Sequence, residues 1–367
     1  MSLATSMLQA LLFPSSDAVT DAAADPAVAG PSVPFAYAGG YAPECGGIHA
    51  LRRDAEGRVT ATLAAELSGS PTWLHLSPDG RRLHALLEDS HELASFDVNP
   101  ADGALTLIAR RPSGGQLPVH LDWQGDHAWI AHYGDGRLCR VPVNQEGALG
   151  APDLVISPRD GAAPHAHMVR RHPRRPLMVA TDLGQDLLRV WRLDGPGTEG
   201  GAPVELAPCP LPPGSGPRHF VFDPYDDEQL YLLNESANAL DWLGLDAQGR
   251  VSSRERLSSL PPSFEGLSYA SDLLMSPDGR RLYALNRLHD AISVFFVDAR
   301  CRPTWAGEVW AQGSYPRSAS FSPDGSQLWV CLQRSHQICV FELGDEGVPR
   351  FGRQFIAMPG AACVVFR

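Results

Sequence analysis

The 367-residue chain contains no lysine, so all 30 of its permanently basic residues are arginine. Without a lysine amine, Schiff-base chemistry is excluded. Every permanent cation is instead a planar guanidinium, whose shape suits carboxylate and phosphate groups. The formal net charge is −12. So acidic a protein is not expected to have nucleic acid as its main partner.

Cysteine is sparse and follows no pattern. The seven cysteines are an odd number, and no Cys-X-X-Cys motif occurs. This indicates neither a disulfide framework nor a thiolate zinc site. Reduced cysteines are typical of cytoplasmic proteins, so we expect a cytoplasmic location.

Long apolar runs are also missing. No stretch approaches the roughly 20 apolar residues that a membrane-spanning helix needs. No arginine precedes Arg52, so the positively charged start of a secretory signal peptide is not seen. We therefore expect no membrane association. Residues 1–33 are rich in Ala, Ser and Pro, and we interpret them as a loose arm or short helix outside a folded domain of residues 34–367.

One tight-turn sequence recurs along the chain. It is Ser-Pro-Asp-Gly at residues 77–80, 276–279 and 322–325, with weaker copies near residues 123, 173 and 224. Proline fixes φ, aspartate bonds to nearby backbone and glycine accepts a positive φ, so the motif predicts a tight turn. Successive turns are about 50 residues apart, a spacing typical of β-propeller blades.

The segments between these turns read as short alternating strands, four to each unit, and helix-period patterns are absent. Six units run from about residue 70 to 356. Three strand-like segments precede them and one follows, which together would form a seventh blade from both ends of the chain. Such closure removes free sheet edges. We predict an all-β, seven-bladed β-propeller with four-stranded antiparallel blades, closed by the C-terminal strand.

In a propeller blade, the first strand lines the central channel and the second returns antiparallel beside it. The residue that begins the first strand and the residue that ends the second therefore lie at the same mouth. In the hairpin 214–236 this brings Arg218 and Glu235 together. Equivalent positions in the other blades place Asp182, His165 and His167 there too. Because the opposite mouth receives mostly Pro-Asp-Gly turns, we predict a ligand site at the first mouth.

Four segments carry a resemblance to a known family. They are PHAHMV at 164–169, GSGPRHFVFDP at 214–224, LLNES at 232–236 and SDLLMSPDGRRLYALNRLHDAISVF at 271–295. With them, residues 34–366 resemble the seven-bladed lactonase family, which contains propeller-type 6-phosphogluconolactonases and fungal carboxy-muconate lactonizing enzymes.

The resemblance implies a metal-free lactone site on one propeller face, and the sequence itself gives no reason to expect a cofactor. The residues that match the family's site are His167, Arg218, Glu235 and Arg287. The chain also departs from the family pattern, with His132 where the family tends to have Asn and Leu274 where it often has His.

Opening a lactone requires an activated water, a group that holds the oxyanion and a proton for the leaving alkoxide. We expect Glu235 or His167 to serve as base and acid. Arg218 and Arg287 would hold the substrate's anionic group and the oxyanion. Further substrate contacts are expected from Glu88, His132, His165, Asp182, His219, Asp272 and Arg317. The absence of Gly-X-Ser-X-Gly argues against a serine nucleophile.

The function predicted from the sequence is a metal-independent hydrolase of a sugar lactone. The favoured substrate is 6-phosphogluconolactone, which would place the protein in the pentose phosphate pathway of carbohydrate metabolism. The expected partner is thus a small anionic lactone, and the expected assembly is a monomer or a weak homodimer.

Two other functions stay open at this point. One is a cycloisomerase or hydrolase of a muconate-type lactone. The other is a non-catalytic propeller that binds a protein. In the second case, Arg218 and Glu235 would form only a structural ion pair. The histidines of Pro-His-Ala-His would then bond to backbone carbonyls, and Asp272 would accept backbone N–H groups.

Overall fold

The computed structural model describes residues 33–161, 163–195 and 201–367. The predicted N-terminal arm therefore lies outside the described residues, apart from Val33. None of the described residues forms a helix long and apolar enough to cross a membrane.

Seven antiparallel sheets make up the described fold. The strands of blade 1 are β1 Ala36–Gly40, β2 Gly47–Arg53, β3 Val59–Glu66 and β29 Ala361–Phe366; of blade 2, β4 Pro71–Leu76, β5 Arg82–Leu87, β6 Glu92–Val98 and β7 Leu105–Pro112; of blade 3, β8 Pro118–Gln124, β9 His127–His132, β10 Leu138–Pro142 and β11 Leu154–Ile156. Those of blade 4 are β12 Ala166–Arg171, β13 Leu177–Asp182, β14 Leu187–Arg192, β15 Val204–Glu205 and β16 Cys209–Pro210; of blade 5, β17 Pro217–Phe222, β18 Gln229–Asn234, β19 Ala239–Leu245 and β20 Val251–Ser258. Those of blade 6 are β21 Tyr269–Met275, β22 Arg281–Arg287, β23 Ala291–Val297 and β24 Pro303–Trp310; of blade 7, β25 Pro316–Phe321, β26 Gln327–Leu332, β27 Gln337–Leu343 and β28 Pro349–Ala357.

Blade 1 is built from both ends of the chain. Its strand order is β29-β1-β2-β3, so the C-terminal strand is its innermost strand. The predicted closure and the seven-bladed, four-stranded architecture are confirmed, with one addition: in blade 4 both β15 and β16 pair with β14.

Burial follows the position of each strand within its blade. Middle strands such as β13 and β18 are buried along their whole length, because a neighbouring blade covers each face. Their sequences are accordingly near-continuous apolar runs. An outer strand such as β20, VSSRERLS, has no fully buried residue and is mainly polar. The apolar core therefore lies between the blades, and the channel walls are left free for polar groups.

A β-bulge interrupts the beginning of every innermost strand. The residues inside these bulges are Thr72, Val119, His167, Arg218, Ser271 with Asp272, Arg317 and Ala362. An extra residue in one strand bends it locally and turns its side chain in a new direction. The seven bulges form a ring at one end of the channel, which we call the front mouth. The innermost strands end at the other, the rear mouth.

The Ser-Pro-Asp-Gly turns are formed as the sequence predicts. In the first of them, the Ser77 hydroxyl donates to Asp79 Oδ1 at 2.6 Å and Gly80 has φ of +68°. The copies at Ser276 and Ser322 repeat the hydroxyl–carboxylate bond. These turns lie at the end of the blades away from the bulges, so they leave the front mouth to other sequences.

Candidate active site

A cavity of about 340 Å³ lies at the front mouth, and every blade contributes to it. Its walls are formed by Tyr41, Glu88, Val119, Tyr133, His167, Arg218, Glu235, Arg287, Tyr315, Arg317, Gln333 and Arg334. The four residues predicted to be catalytic, together with Glu88 and Arg317, therefore line one space. General acid–base groups must reach a single substrate, and this arrangement meets that requirement.

Glu235 binds two arginines at the centre of the site. The pairing of Pro217 with Asn234 places Arg218 beside Glu235, as the hairpin argument predicts. Arg218 Nη1 donates to Glu235 Oε2 at 2.5 Å, and Arg287 Nη2 lies 2.9 Å from the same oxygen. Each guanidinium is also held from behind by a backbone carbonyl. Arg218 Nε donates to Ser271 O at 2.7 Å, in the bulge of blade 6.

The charge state of this cluster follows from opposing effects. Burial raises the pKa of Glu235, but Arg218 and Arg287 outweigh it and leave the pKa below its ordinary value. Burial lowers the pKa of Arg218 to about 10, so it is still a cation at neutral pH. The cluster is therefore two cations around one carboxylate, and Glu235 Oε1 has no hydrogen-bond donor among the described residues.

Arg317 differs from these two arginines because no described residue accepts a hydrogen bond from its guanidinium. It lies over the ring of Tyr41, 5.0 Å from the centroid. Burial lowers its pKa, but Tyr41, Glu88 and Glu235 raise it by more. Glu88 Oε2 instead accepts bonds from the Tyr41 hydroxyl at 3.1 Å and from Thr72 Oγ1 at 2.8 Å. Arg317 is therefore a cation with its donors free to bind an anion.

The walls of the cavity are positively charged although the protein is acidic. They carry four arginines and two glutamates, a net charge of +2, in a chain whose net charge is −12. Among the described residues, no three or more His, Cys, Asp or Glu side chains are arranged to hold a metal ion. The electrostatics of the cavity favour an anionic ligand.

His167 is the imidazole of the site. Its ring is almost fully buried and packs edge-on against Tyr133, with 5.9 Å between ring centroids. Burial, and then the charge of Arg218 and its neighbours, hold the pKa of His167 well below its ordinary value. The imidazole is therefore neutral at pH 7, with a lone pair on one ring nitrogen.

His165 and Asp182 lie beside the cavity and do not line it. His165 stacks on Tyr133, with 4.3 Å between centroids, and its Nδ1 is 2.7 Å from the Tyr133 carbonyl. Asp182 Oδ1 accepts the backbone N–H groups of His165 and Gln185 at 3.0 and 3.1 Å. Both residues shape the loop that positions Tyr133, and direct contact of either with substrate stays a prediction.

His132 points away from the cavity. It is fully buried, with Nε2 2.9 Å from Ser113 Oγ and Nδ1 3.2 Å from the Arg137 carbonyl. Burial lowers its pKa to about 4. His132, which departs from the family pattern, therefore packs inside its blade. Its contact with substrate stays a prediction.

His219 and Asp272 lie deeper in the channel than the cavity. His219 Nδ1 is 2.7 Å from Asp272 Oδ1, and Asp272 also accepts the backbone N–H groups of Leu273 at 2.9 Å and Ala319 at 3.0 Å. These backbone bonds are those expected in the structural interpretation of Asp272. Neither residue lines the front cavity, and contact of either with substrate stays a prediction.

Tyr41, Tyr315 and Arg334 were not predicted from the sequence. Tyr41 directly follows β1, the second strand of blade 1, so it is equivalent in position to Glu235 in blade 5. Its position could have been predicted from strand order, since β1 pairs with the innermost strand β29 as β18 pairs with β17. Arg287 and Arg334 lie over the ring of Tyr315, at 5.3 and 4.1 Å from its centroid.

Comparison with known proteins decides the family. The family model described as "Lactonase, 7-bladed beta-propeller" matches residues 35–366. The chain belongs to this lactonase family. The resemblance carried by the four sequence segments is thereby confirmed.

Solved structures of lactonases share the same fold. A proposed 6-phosphogluconolactonase from Bacteroides fragilis is 26% identical, with a TM-score of 0.81, and the match covers 94% of this chain and all of the other. The periplasmic gluconolactonase of Pseudomonas aeruginosa is 27% identical, with a TM-score of 0.83, and the match covers 91% of this chain and 99% of the other. The family is therefore shared along the whole propeller.

Proposed function

We propose that this lactonase-family protein hydrolyses a lactone that carries an anionic group, with 6-phosphogluconolactone as the first candidate. The observation that carries the proposal is the convergence at one 340 Å³ cavity of a neutral imidazole, a doubly paired carboxylate and an arginine without a protein acceptor. Two of the similar solved proteins are described as acting on gluconate-type lactones, which supports the choice of a sugar lactone.

In this proposal Arg317 binds the anionic group of the substrate. Its donors are free, and Tyr41 beneath it fixes the plane of the guanidinium. Phosphate or carboxylate oxygens would accept charge-assisted hydrogen bonds from it. The exposed Arg334 lies on the same wall and extends the positive surface toward the solvent.

Arg218 and Arg287 would stabilise the oxyanion. Glu235 fixes both guanidiniums, and Arg218 Nη2 has no acceptor among the described residues. Donors that are already in position as negative charge develops lower the barrier without reorganisation. Protonating Glu235 would break two buried ion pairs, so we assign Glu235 the role of holding the arginines and His167 the role of base.

The reaction then proceeds in two proton transfers. His167 takes a proton from water as the water oxygen attacks the carbonyl carbon, and the tetrahedral oxyanion forms beside the arginines. When the oxyanion collapses, the bond between the carbonyl carbon and the ring oxygen breaks, and His167 returns the proton to that oxygen. The product is a hydroxy acid, which ionises and releases one proton to the solvent at neutral pH.

The test compares three lactones with the purified protein: 6-phosphogluconolactone, the uncharged gluconolactone and a carboxylated muconate-type lactone. Acid release above the spontaneous rate is followed at constant pH. We expect the phosphorylated sugar lactone to have the highest kcat/KM. A higher value for the carboxylated lactone would favour the alternative substrate class, and folded protein that accelerates none of the three would overturn the proposal.

We also propose that the protein is cytoplasmic. All seven cysteines are free, and five of them are buried. The similar Pseudomonas protein is periplasmic, so the family alone does not decide the compartment. Cell fractionation with an antibody to the native protein measures it directly, and recovery in the periplasmic fraction would contradict the proposal.

A further inference from the structure

A small void lies below the front cavity, at the level of the ring of bulges. It measures about 20 Å³ and is lined by Thr72, Trp73, Glu88, Val119, His167, Arg218, His219, Arg317, Ser318 and Ala362. About 10–15 Å³ of this kind of space is enough for one water molecule, provided that polar partners surround it. The void has polar walls and a size that suits a single water.

Two buried ring nitrogens that have no protein partner belong to histidines lining this void. They are His167 Nδ1 and His219 Nε2, and the two rings are 5.2 Å apart between centroids. A buried polar atom without a hydrogen bond is costly, so each nitrogen calls for a partner. One water between them would satisfy both.

The tautomer of His219 follows from its contact with Asp272. Burial raises the pKa of Asp272, but His219 and two backbone N–H groups lower it by more, so the carboxylate is ionised. Burial lowers the pKa of His219, so its ring is neutral at pH 7. A neutral ring 2.7 Å from a carboxylate must place its proton on Nδ1, which leaves His219 Nε2 as an acceptor.

We propose that one buried water in this void joins His219 to His167, that Asp272 orients His219 to accept from this water, and that His167 donates to the water from Nδ1, which leaves its Nε2 unprotonated. This inference rests on the proposed function, because it assigns the base of that reaction. His219 and Asp272 are then positioning residues, and neither contacts the substrate.

The hydrogen bonds that link His167, the water, His219 and Asp272 all run in one direction. His167 Nδ1–H donates to the water, the water donates to His219 Nε2, and His219 Nδ1–H donates to Asp272. His167 Nε2 is left with its lone pair for the attacking water. When His167 takes a proton at Nε2, the buried carboxylate of Asp272 stabilises the positive charge through His219 and the water. His167 then gives this proton to the leaving oxygen.

The decisive variant is Asp272→Asn. The amide removes the carboxylate charge that stabilises protonated His167. Where its NH2 group takes the place of Oδ1, it also donates to His219 Nδ1, which moves the His219 proton to Nε2 and leaves His167 Nε2 protonated. We expect kcat to fall about 10²-fold, the size of a lost general base. KM should change little, because neither residue of the pair contacts the substrate. An unchanged kcat in the folded variant would overturn the proposal.

His120→Phe is the matched control. His120 is as buried as His219, has an unpartnered Nδ1 and packs on Trp73 at 4.4 Å, but it does not line the void. We expect its kcat to equal that of the wild type. Thermal unfolding of both variants separates loss of activity from loss of fold.

Nitrogen-15 NMR of the histidine rings gives a readout that needs no substrate and no variant. In the wild-type protein we expect His167 and His219 to be protonated on Nδ1, and a water to be found between them in a high-resolution crystal structure. A proton on Nε2 of His167 would overturn the proposed hydrogen-bond arrangement even if lactone hydrolysis is confirmed. If no lactone is hydrolysed, the proposed function fails. The tautomers of His167 and His219 still test the proposed hydrogen bonds, because they are measured without a substrate.

Discussion

The two mouths of the channel are built by the same seven strands, yet they differ in almost every chemical respect. The front cavity, about 340 Å³, is lined by four arginines, two glutamates, a histidine and three tyrosines. The rear cavity is larger, about 790 Å³, but its walls are mostly aromatic and aliphatic, and Arg170 is its one arginine. Size alone would point to the rear. The convergence of polar groups points to the front.

The difference comes from the segments at the two ends of each innermost strand. At the front, a bulge turns one side chain of each innermost strand toward the channel, and these residues differ from blade to blade. At the rear, tight turns close the hairpins, and in the three Ser-Pro-Asp-Gly copies the aspartates are used within the turns themselves. A repeat fold thus keeps one end uniform for stability and varies the other for chemistry.

Glu235→Gln should have the largest effect on activity. It tests whether Glu235 is needed for catalysis or only forms a structural ion pair. We expect kcat to fall at least about 10²-fold, because the arginines lose the group that positions them. We also expect a loss of about 3–5 kcal/mol in unfolding free energy, since two buried guanidiniums lose their counter-ion. Steady-state kinetics and urea denaturation measure the two effects.

Asp122→Asn is the rear-mouth control for this change. Asp122 is a half-buried carboxylate that accepts the backbone N–H of Arg171 at 3.0 Å. Its variant should keep the wild-type rate. If Glu235→Gln lost stability but kept its rate at a temperature where it is folded, Arg218 and Glu235 would be only a structural pair.

Arg317→Gln and Arg170→Gln test the two mouths with matched residues, since neither guanidinium donates to a described residue. Losing charge-assisted bonds of about 1.5–3 kcal/mol should raise KM for the phosphorylated lactone about 10- to 100-fold in Arg317→Gln. Its kcat should stay near the wild-type value, because the anion is held equally in ground and transition states.

Arg170→Gln should leave both constants unchanged. Gluconolactone, which has no charge, should be insensitive to either change. A rise in KM for Arg170→Gln alone would move the anion site to the rear mouth.

His84→Phe should change how the stability of the protein depends on pH. Burial, and then the charges of His75 and Arg82, lower the pKa of His84 to about 3. The unfolded chain takes up this proton below about pH 6.5, and the folded protein does not, so stability present above pH 6.5 is lost as the pH falls toward 3. The slope is about 1.4 kcal/mol per pH unit.

The variant lacks this proton-binding difference, so its Tm should fall less than that of the wild type between pH 6.5 and 4. The phenyl ring can keep the stacking on Trp123, which His84 makes at 4.3 Å. Parallel Tm curves for the two proteins would contradict the assignment of a neutral buried His84.

A chelator should have the smallest effect, namely none. The front cavity has a net positive charge from its arginines, which would repel a divalent cation. Activity measured before and after dialysis against a chelator checks this. Strong inhibition that added calcium reverses would favour metal-dependent chemistry instead.

Much of this site could be predicted from sequence because the hairpin rule needs only strand order. Arg218 and Glu235 are 17 positions apart, yet antiparallel pairing requires them to meet. His167 and Arg287 followed from the same positions in adjacent blades and from the family resemblance. The repeat of tight turns predicted six of the seven blades, because a period near 50 residues is typical of propeller blades. The strand-like segments left over at the two ends of the chain predicted the seventh.

Strand order alone does not distinguish a bulged residue from its neighbour in the strand. Arg218 lines the front cavity, whereas His219, the next residue, faces deeper into the channel and binds Asp272. The bulge decides which of the two side chains is turned toward the front mouth, and the alternation of strand residues does not predict it. A proline before the bulged residue, as at Pro217 and Pro316, is the signal that could have indicated it.

The sequence by itself determined the repeat, the closure by the C-terminal strand and the mouth at which the charged residues gather, because these depend on local pattern and strand direction. Only the tertiary structure decided that Arg317 has no protein acceptor, that Glu235 binds two arginines from different blades and that His167 is neutral. Those properties arise from burial and from distances between blades, which are set by how seven sheets pack around one channel.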